Sequence, residues 1–283
     1  YSYRFYINYL RRYIRITSFP FISGDTFRKM AQHKLDELST INADLIKKND
    51  IVFVKTDFLD YFFEDIFPKL DEFFILLSHN SDIEISNSWL DKMGDKDFKW
   101  FAQNLNFSNI TDSRVDILPI GLENRSYFRY GKTSNFKYAI NQQHVKINRI
   151  YCSFNLLTNS NRVHVQKVAK NNDNVDFNNF ANHKNYLNNL SKYKFSLCPQ
   201  GNGIDTHRFW ESLAVGTIPV VERSHFSDNF QKLGVPIYVL DSWDELEILN
   251  SEQLSEFYNK KSLNLTDFVS FEFWEQYINS HLQ

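Results

Sequence analysis

A chain of 283 residues is long enough for two compact domains, and 42% hydrophobic residues with 17% aromatics can supply two cores. A formal net charge of −2 leaves no basic surplus to attract a phosphate backbone, which argues against a nucleic-acid partner. The two cysteines, Cys152 and Cys198, end apolar runs and read as small buried hydrophobes of a reducing compartment; the eight histidines lack the close Cys/His spacing of a zinc site, so no metal and no cofactor is expected.

Residues 1–16 mix aromatics with Arg4, Arg11, Arg12 and Arg15. They read as an amphipathic helix, either lying peripherally on an anionic membrane or packed on the first domain with its arginines in solvent. No apolar run reaches the roughly 18 residues of a membrane span. Beginning at Tyr1 without a methionine, the chain reads as a fragment of something longer. Its expected location is the cytoplasm, peripheral to a membrane, or the Golgi lumen if it is excised from a longer eukaryotic protein. Asn-X-Ser/Thr triplets such as Asn109-Ile-Thr111 are expected by chance in so asparagine-rich a sequence and are not read as secretion.

Phe19–Ile22 is a short predicted strand, which Ser23-Gly24-Asp25 turns into a helix through about Leu38. Strands follow at Ile51–Val54 and Glu72–Leu77, with an aromatic helix over Phe58–Phe67 between them. The third strand ends in Ser78-His79-Asn80-Ser81-Asp82. Phe98–Phe101 and Val115–Leu118 continue the pattern, and Pro119-Ile120-Gly121 closes it. Apolar strands alternating with helices argue for a parallel sheet, giving a Rossmann-like domain over residues 1–130.

Residues 124–146 are polar and read as the interdomain connection. A second α/β domain then covers 131–265. Its strands are Ile150–Phe154, Val175–Phe177, Phe195–Cys198, Thr217–Val221 and Ile237–Leu240, with a helix from Arg162 and helices at Trp243–Leu249 and Ser251–Tyr258. Residues 266–283 read as a terminal aromatic helix that returns to the first domain.

The most informative stretch is 195–222. A short apolar strand ends at Pro199, and Gly201-Asn202-Gly203 forms a loop whose glycines permit positive φ. Asp205 or Thr206 caps a helix running to about Val215, with Gly216 at its C′ position. Phe209, Trp210, Leu213 and Ala214 can bury against the sheet, while His207, Arg208 and Glu211 lie together at the helix start. A loop of free N–H groups at the positive end of a helix calls for an anion, most naturally a nucleotide diphosphate.

The string CPQGNGIDTHRFWESLAVGTIPVV resembles the donor-site signature of exostosin-like glycosyltransferases of the family forty-seven type, in their short viral and bacterial form. Weaker likenesses lie at Ser23–Arg28, Ser78–Asp82, Trp100–Asn104 and Ile117–Leu122, so the resemblance covers most of the chain from about residue 18. It implies a GT-B-like α/β architecture: two Rossmann-like domains with parallel sheets facing a central cleft, the nucleotide-sugar held by the second. It also implies a nucleotide-sugar donor, a UDP-sugar carrying xylose, glucuronic acid or galactose, and a glycan or glycoconjugate acceptor.

Glycosyl transfer needs a grip on the nucleotide, positive charge on the leaving diphosphate and a base on the acceptor hydroxyl. Without a metal, Arg162 and Arg208 are the candidates for the charge; Arg162 also reads as a solvated helix start. Ser153, Asn155, Pro199, Gly201, Asn202, Gly203, Thr206 and His207 would line the donor site. Glu211 can accept from ribose hydroxyls, with Glu222 its competitor, and Asp205 either caps the helix or joins the site. Asp82 is the expected base for an inverting attack, with Asp25, His79 and Asn80 as the other acceptor-side candidates; a plain turn role for Asp82 stays open.

Two rival readings remain. A dinucleotide-dependent oxidoreductase would also place an acid near Glu222, about 20 residues past the glycine loop, but Thr206 stands where its third glycine belongs and Pro199 interrupts the loop. A non-catalytic nucleotide-sugar or glycan-binding module of the same fold is the other.

Overall fold

The computed structural model describes residues 15–107, 112–125, 130–260 and 265–283. The chain divides into two compact units, Tyr1–Gly131 with Ser270–Gln283, and Lys132–Val269. Most of the basic aromatic segment 1–16, and the triplet at Asn109, lie outside the described residues.

In the first unit, helix α1 (Gly24–Met30) is followed by strands β1 (His33–Leu35), β2 (Ile51–Lys55), β3 (Ile75–His79), β4 (Lys99–Ala102) and β5 (Val115–Ile117). The strands pair in parallel in that same order. Ile51 to Val54 and Ile75 to Leu77 are buried without interruption, as a sheet covered on both faces requires. Neighbouring residues on β4 point to opposite faces and show the two layers. Trp100 meets Phe63 at 5.4 Å on one side, and Phe101 meets Tyr277 of the C-terminal helix, Phe271–Asn279, at 5.9 Å on the other. The Tyr277 hydroxyl donates to Asp116 at 2.8 Å, and Phe21 bridges to Ser270, so the chain's end is sewn to this unit.

Three local expectations fail here. Phe19–Ile22 forms isolated bridges rather than a strand. The helix expected to reach Leu38 stops at Met30, because Ala31 turns extended and Gln32 pairs with Ile51 through its backbone and its side chain; His33–Leu35 becomes the edge strand. The aromatic segment around Phe58–Phe67 is a chain of short 3₁₀, α and π turns, not one helix. Of the four phenylalanines in this segment Phe62, Phe63 and Phe67 are buried, with Leu59 and Ile66, and the change of helical pitch lets residues at uneven spacing share the buried side.

The second unit runs α2 (Thr133–Asn141), β6 (Ile147–Cys152), α3 (Asn161–Ala169), β7 (Val175–Phe177), α4 (His183–Leu190), β8 (Tyr193–Leu197), α5 (His207–Ala214), β9 (Ile218–Glu222), α6 (His225–Lys232), β10 (Tyr238–Leu240) and α7 (Ser251–Lys260). Its sheet is parallel with the order β10-β9-β8-β6-β7. The order therefore reverses between β6 and β8, and a crevice opens at the carboxyl ends of those two strands, where ligands of open α/β sheets bind. Residues 124–146, expected to be plain connection, contain α2, whose Phe136 and Ala139 are buried. Both sheets are five-stranded and parallel, and the fold is mixed α/β as the sequence implies.

Candidate functional site

The loops that follow β6 and β8 meet at the switch point. Loop 198–206 leaves β8 and delivers the chain to α5. Neither Gly201 nor Gly203 adopts positive φ, against expectation. Gly201 serves by its small size: a Cβ there would press on Arg162 Nη2 at 3.3 Å and Thr206 Cγ2 at 3.4 Å. Gly201 N–H donates to Gly203 O at 3.1 Å, and Asn159 donates to Gly201 O at 2.8 Å, which ties the two loops together. Asn202 points into solvent.

Arg162 is buried and acts as the brace between the loops. Nε donates to Gln200 O at 2.7 Å, Nη1 to Asn155 O at 3.0 Å and Nη2 to Pro199 O at 3.3 Å. Burial, reinforced by the nearby charge of Arg208, lowers its pKa to about 10, which still leaves it cationic at neutral pH. The solvated helix start is thus excluded, and the leaving-group role assigned to it from sequence meets a guanidinium whose donors face backbone carbonyls. Asn155 uses its side chain to cap the turn Leu156–Thr158, and Ser153 is buried at the start of the loop.

Arg208 has the opposite character. It stands on the first turn of α5, and among the described residues its guanidinium makes no hydrogen bond or ion pair; Nε is fully buried and unpartnered. Its charge reaches Arg162, Cys198, Tyr151, Tyr186 and Glu211. Glu211 is the acid within its field but is bonded to His183, so the guanidinium has no ion pair of its own and suits an anion.

Thr206 occupies the N-cap position without a side-chain capping bond. Asp205 is buried and accepts the Trp210 indole N–H at 2.8 Å, so it locks the helix start rather than reaching a ligand. The far end of α5 follows the sequence closely. Gly216 has φ of 74°, its N–H donates to Leu213 O, and Thr217 N–H donates to Ser212 O, the paired bonds of a Schellman close.

Glu211 is buried, and Oε1 accepts from His183 Nε2 at 3.1 Å. Burial pushes its pKa up, but the His183 hydrogen bond and the neighbouring positive groups outweigh burial and hold it below the ordinary value. His183 was not singled out by the sequence; it is a lone histidine on a helix and only the fold brings it to Glu211. Glu222 ends β9 on the wall of a pocket beside the loop, with Ile204, Thr206, Phe209, Phe226 and Trp243, and accepts the Trp243 backbone N–H at 3.0 Å.

The acceptor-side candidates belong to the first unit. His79 is buried with both ring nitrogens engaged, Nε2 with Pro119 O at 3.0 Å and Nδ1 with the Asn80 N–H at 2.6 Å. Asn80 sits at φ of 63° and accepts from Asn124, which in turn accepts the Asp25 N–H. Asp25 is buried on Arg15 at 2.9 Å; its Oδ2 has no partner, and burial raises its pKa in spite of the arginine. Asp82 is exposed, beyond the strand end. The structure therefore brings Asp25, His79 and Asn80 together and leaves Asp82 outside the cluster.

No group of three or more His, Cys, Asp or Glu able to hold a metal ion occurs among the described residues, and no described helix is long and apolar enough to cross a membrane.

Residues 133–271 match the RXYLT1 C-terminal domain. That match coincides with the second unit, which carries the loops just described, and the matched family is one of glycosyltransferases. Six chains of solved structures also match. Among them is "OtsA apo structure", with a TM-score of 0.49 and 10% identity, covering 85% of this chain and 75% of that one. No curated protein matches.

Proposed function

We propose that this chain is an inverting, metal-independent glycosyltransferase of exostosin-like type that moves a sugar from a nucleotide-sugar, a UDP-sugar, to a hydroxyl of a glycan acceptor. The observation that carries the reading is the unpaired Arg208 at the switch point of the unit that matches a glycosyltransferase family. In this reading the acceptor oxygen attacks the anomeric carbon, the bond from that carbon to the diphosphate breaks, and the electron pair leaves with the diphosphate. Arg208 and the amides at the start of α5 meet that charge, and Arg162 serves by holding the loops at their working spacing. Glu211, with Glu222 as the competing acid, accepts from the ribose hydroxyls. A carboxylate of the first unit takes the acceptor proton: Asp82 by the sequence reading, Asp25 by burial and its unpartnered oxygen.

A nucleotide-sugar panel tests this. Thermal shift should single out one donor, because a ligand at a hundred times its Kd stabilises by about 2.7 kcal/mol. The selected donor should then be turned over, with inversion at the anomeric carbon and without loss in excess EDTA. Binding without turnover on any acceptor would instead favour a non-catalytic module.

A further inference from the structure

We propose that the hydroxyls of Tyr151 and Tyr186 complete, with Arg208 Nε, the surface that grips the diphosphate of the nucleotide donor. The proposal rests on the glycosyltransferase reading and names two residues that neither the sequence nor the family match assigns.

Seven buried side-chain polar atoms among the described residues lack a hydrogen-bond partner, and three of them are Tyr151 Oη, Tyr186 Oη and Arg208 Nε. These three converge from separate elements. Tyr151 lies on β6, one residue from its carboxyl end; Tyr186 is on the first turn of α4; Arg208 is on the first turn of α5. β6 flanks the point where the strand order reverses, and α4 reaches α5 through the His183–Glu211 bond. The two tyrosine rings lie 6.0 Å apart, and Tyr186 is further held by Phe180 at 4.9 Å and by the stacked His183 at 5.8 Å. Both hydroxyls lie within reach of the Arg208 charge.

The chemistry of the cluster is one-sided. Burial, opposed at Tyr151 by the Ser153 side chain, pushes the Tyr151 pKa up to about 12 and that of Tyr186 well above its ordinary value, so both remain protonated. The other cation nearby, Arg162, is committed to three carbonyls, and the nearest acid, Glu211, is paired with His183. Two hydroxyls, that of Tyr151 beside the Ser153 side chain, and a guanidinium without an ion pair suit an anion with several oxygens. A buried hydroxyl without a partner is destabilising, so these two cost stability until something accepts from them.

The test uses Tyr151→Phe and Tyr186→Phe in the full chain, each titrated with UDP, inorganic pyrophosphate and uridine, and each melted without ligand. Each variant is expected to bind UDP and pyrophosphate about ten- to a hundredfold more weakly, the range for a hydrogen bond to a charged group, with uridine unchanged. Both should melt at or above the wild-type temperature. Unchanged affinity for UDP and pyrophosphate would overturn the proposal. So would a variant that melts lower, or fails to fold, since its hydroxyl would then serve the fold. A wild type that binds none of the three probes removes the functional reading along with it, whereas a wild type that binds them beside unaffected variants removes this inference alone.

Discussion

Arg162 and Arg208 carry the same charge at one crevice, yet their truncation should leave opposite signatures. Arg162→Ala removes three charge-assisted hydrogen bonds, at 2.7, 3.0 and 3.3 Å, and strands the carbonyls of Gln200, Asn155 and Pro199. Each such bond is worth about 1.5–3 kcal/mol, but the cost of burying the guanidinium is recovered, so the net loss should be about 2–4 kcal/mol. Arg208→Ala removes a guanidinium without partners and should change stability by less than about 1 kcal/mol in either direction. Function should divide the other way. Arg208→Ala should lower kcat/KM by about two to three orders of magnitude in a properly folded protein, as for a lost group that meets developing charge. Arg162→Ala should lose donor affinity only in step with its loss of stability. Urea unfolding of each variant, paired with UDP titration and turnover, reads both quantities. An Arg208→Ala protein that is destabilised by more than 2 kcal/mol, as Arg162→Ala should be, and that binds nucleotide normally, would refute the assignment.

Lys146, half-buried, donates to the carbonyls of Ser191, Tyr193 and Val215 and to the Thr217 hydroxyl, and desolvation lowers its pKa to about 8. Between pH 8 and 10.5 the unfolded chain then binds the extra proton, so stability relative to Lys146→Met should rise with pH across that window; parallel curves would exclude the buried titration. Gly24→Ala would bring a Cβ to 1.7 Å from Asn80 Oδ1 and 2.7 Å from His79 Nδ1, breaking the Asn80–Asn124 contact. It should cost about 1–3 kcal/mol, measurable by melting. Comparing Asp25→Asn with Asp82→Asn assigns the base. The true base variant should keep UDP affinity within about threefold while turnover falls by about 10²–10⁴. Its pH–rate profile should also lack the acidic limb that the wild type shows. If neither variant loses turnover, a carboxylate base from the first unit is excluded.

Much of the architecture was legible because it depends on patterns the chain carries locally. Uninterrupted apolar runs such as Ile51–Val54 and Thr217–Val221 can only be strands covered on both faces, and their alternation with helices dictates parallel pairing. Gly216 announces the end of α5 because only glycine takes its φ without strain. The resemblance to glycosyltransferases was carried by a contiguous string, and it falls within the residues that match the family. Other features depended on distant partners. His33–Leu35 joins the sheet only because Ile51 is there to receive Gln32. Whether Arg162 faces solvent, a phosphate or the carbonyls of Pro199 and Gln200 depends on where the chain places oxygens 37 and 38 positions further on, and no local pattern encodes it. The same holds for Glu211 and His183, 28 residues apart, and for the hydroxyls of Tyr151 and Tyr186. Residue type sets what a side chain can donate, accept or bury, and hydrophobic period sets the element it rides on. The partner it finds is decided by packing, since the free energy of a buried polar group depends on atoms that reach it only when the chain has folded.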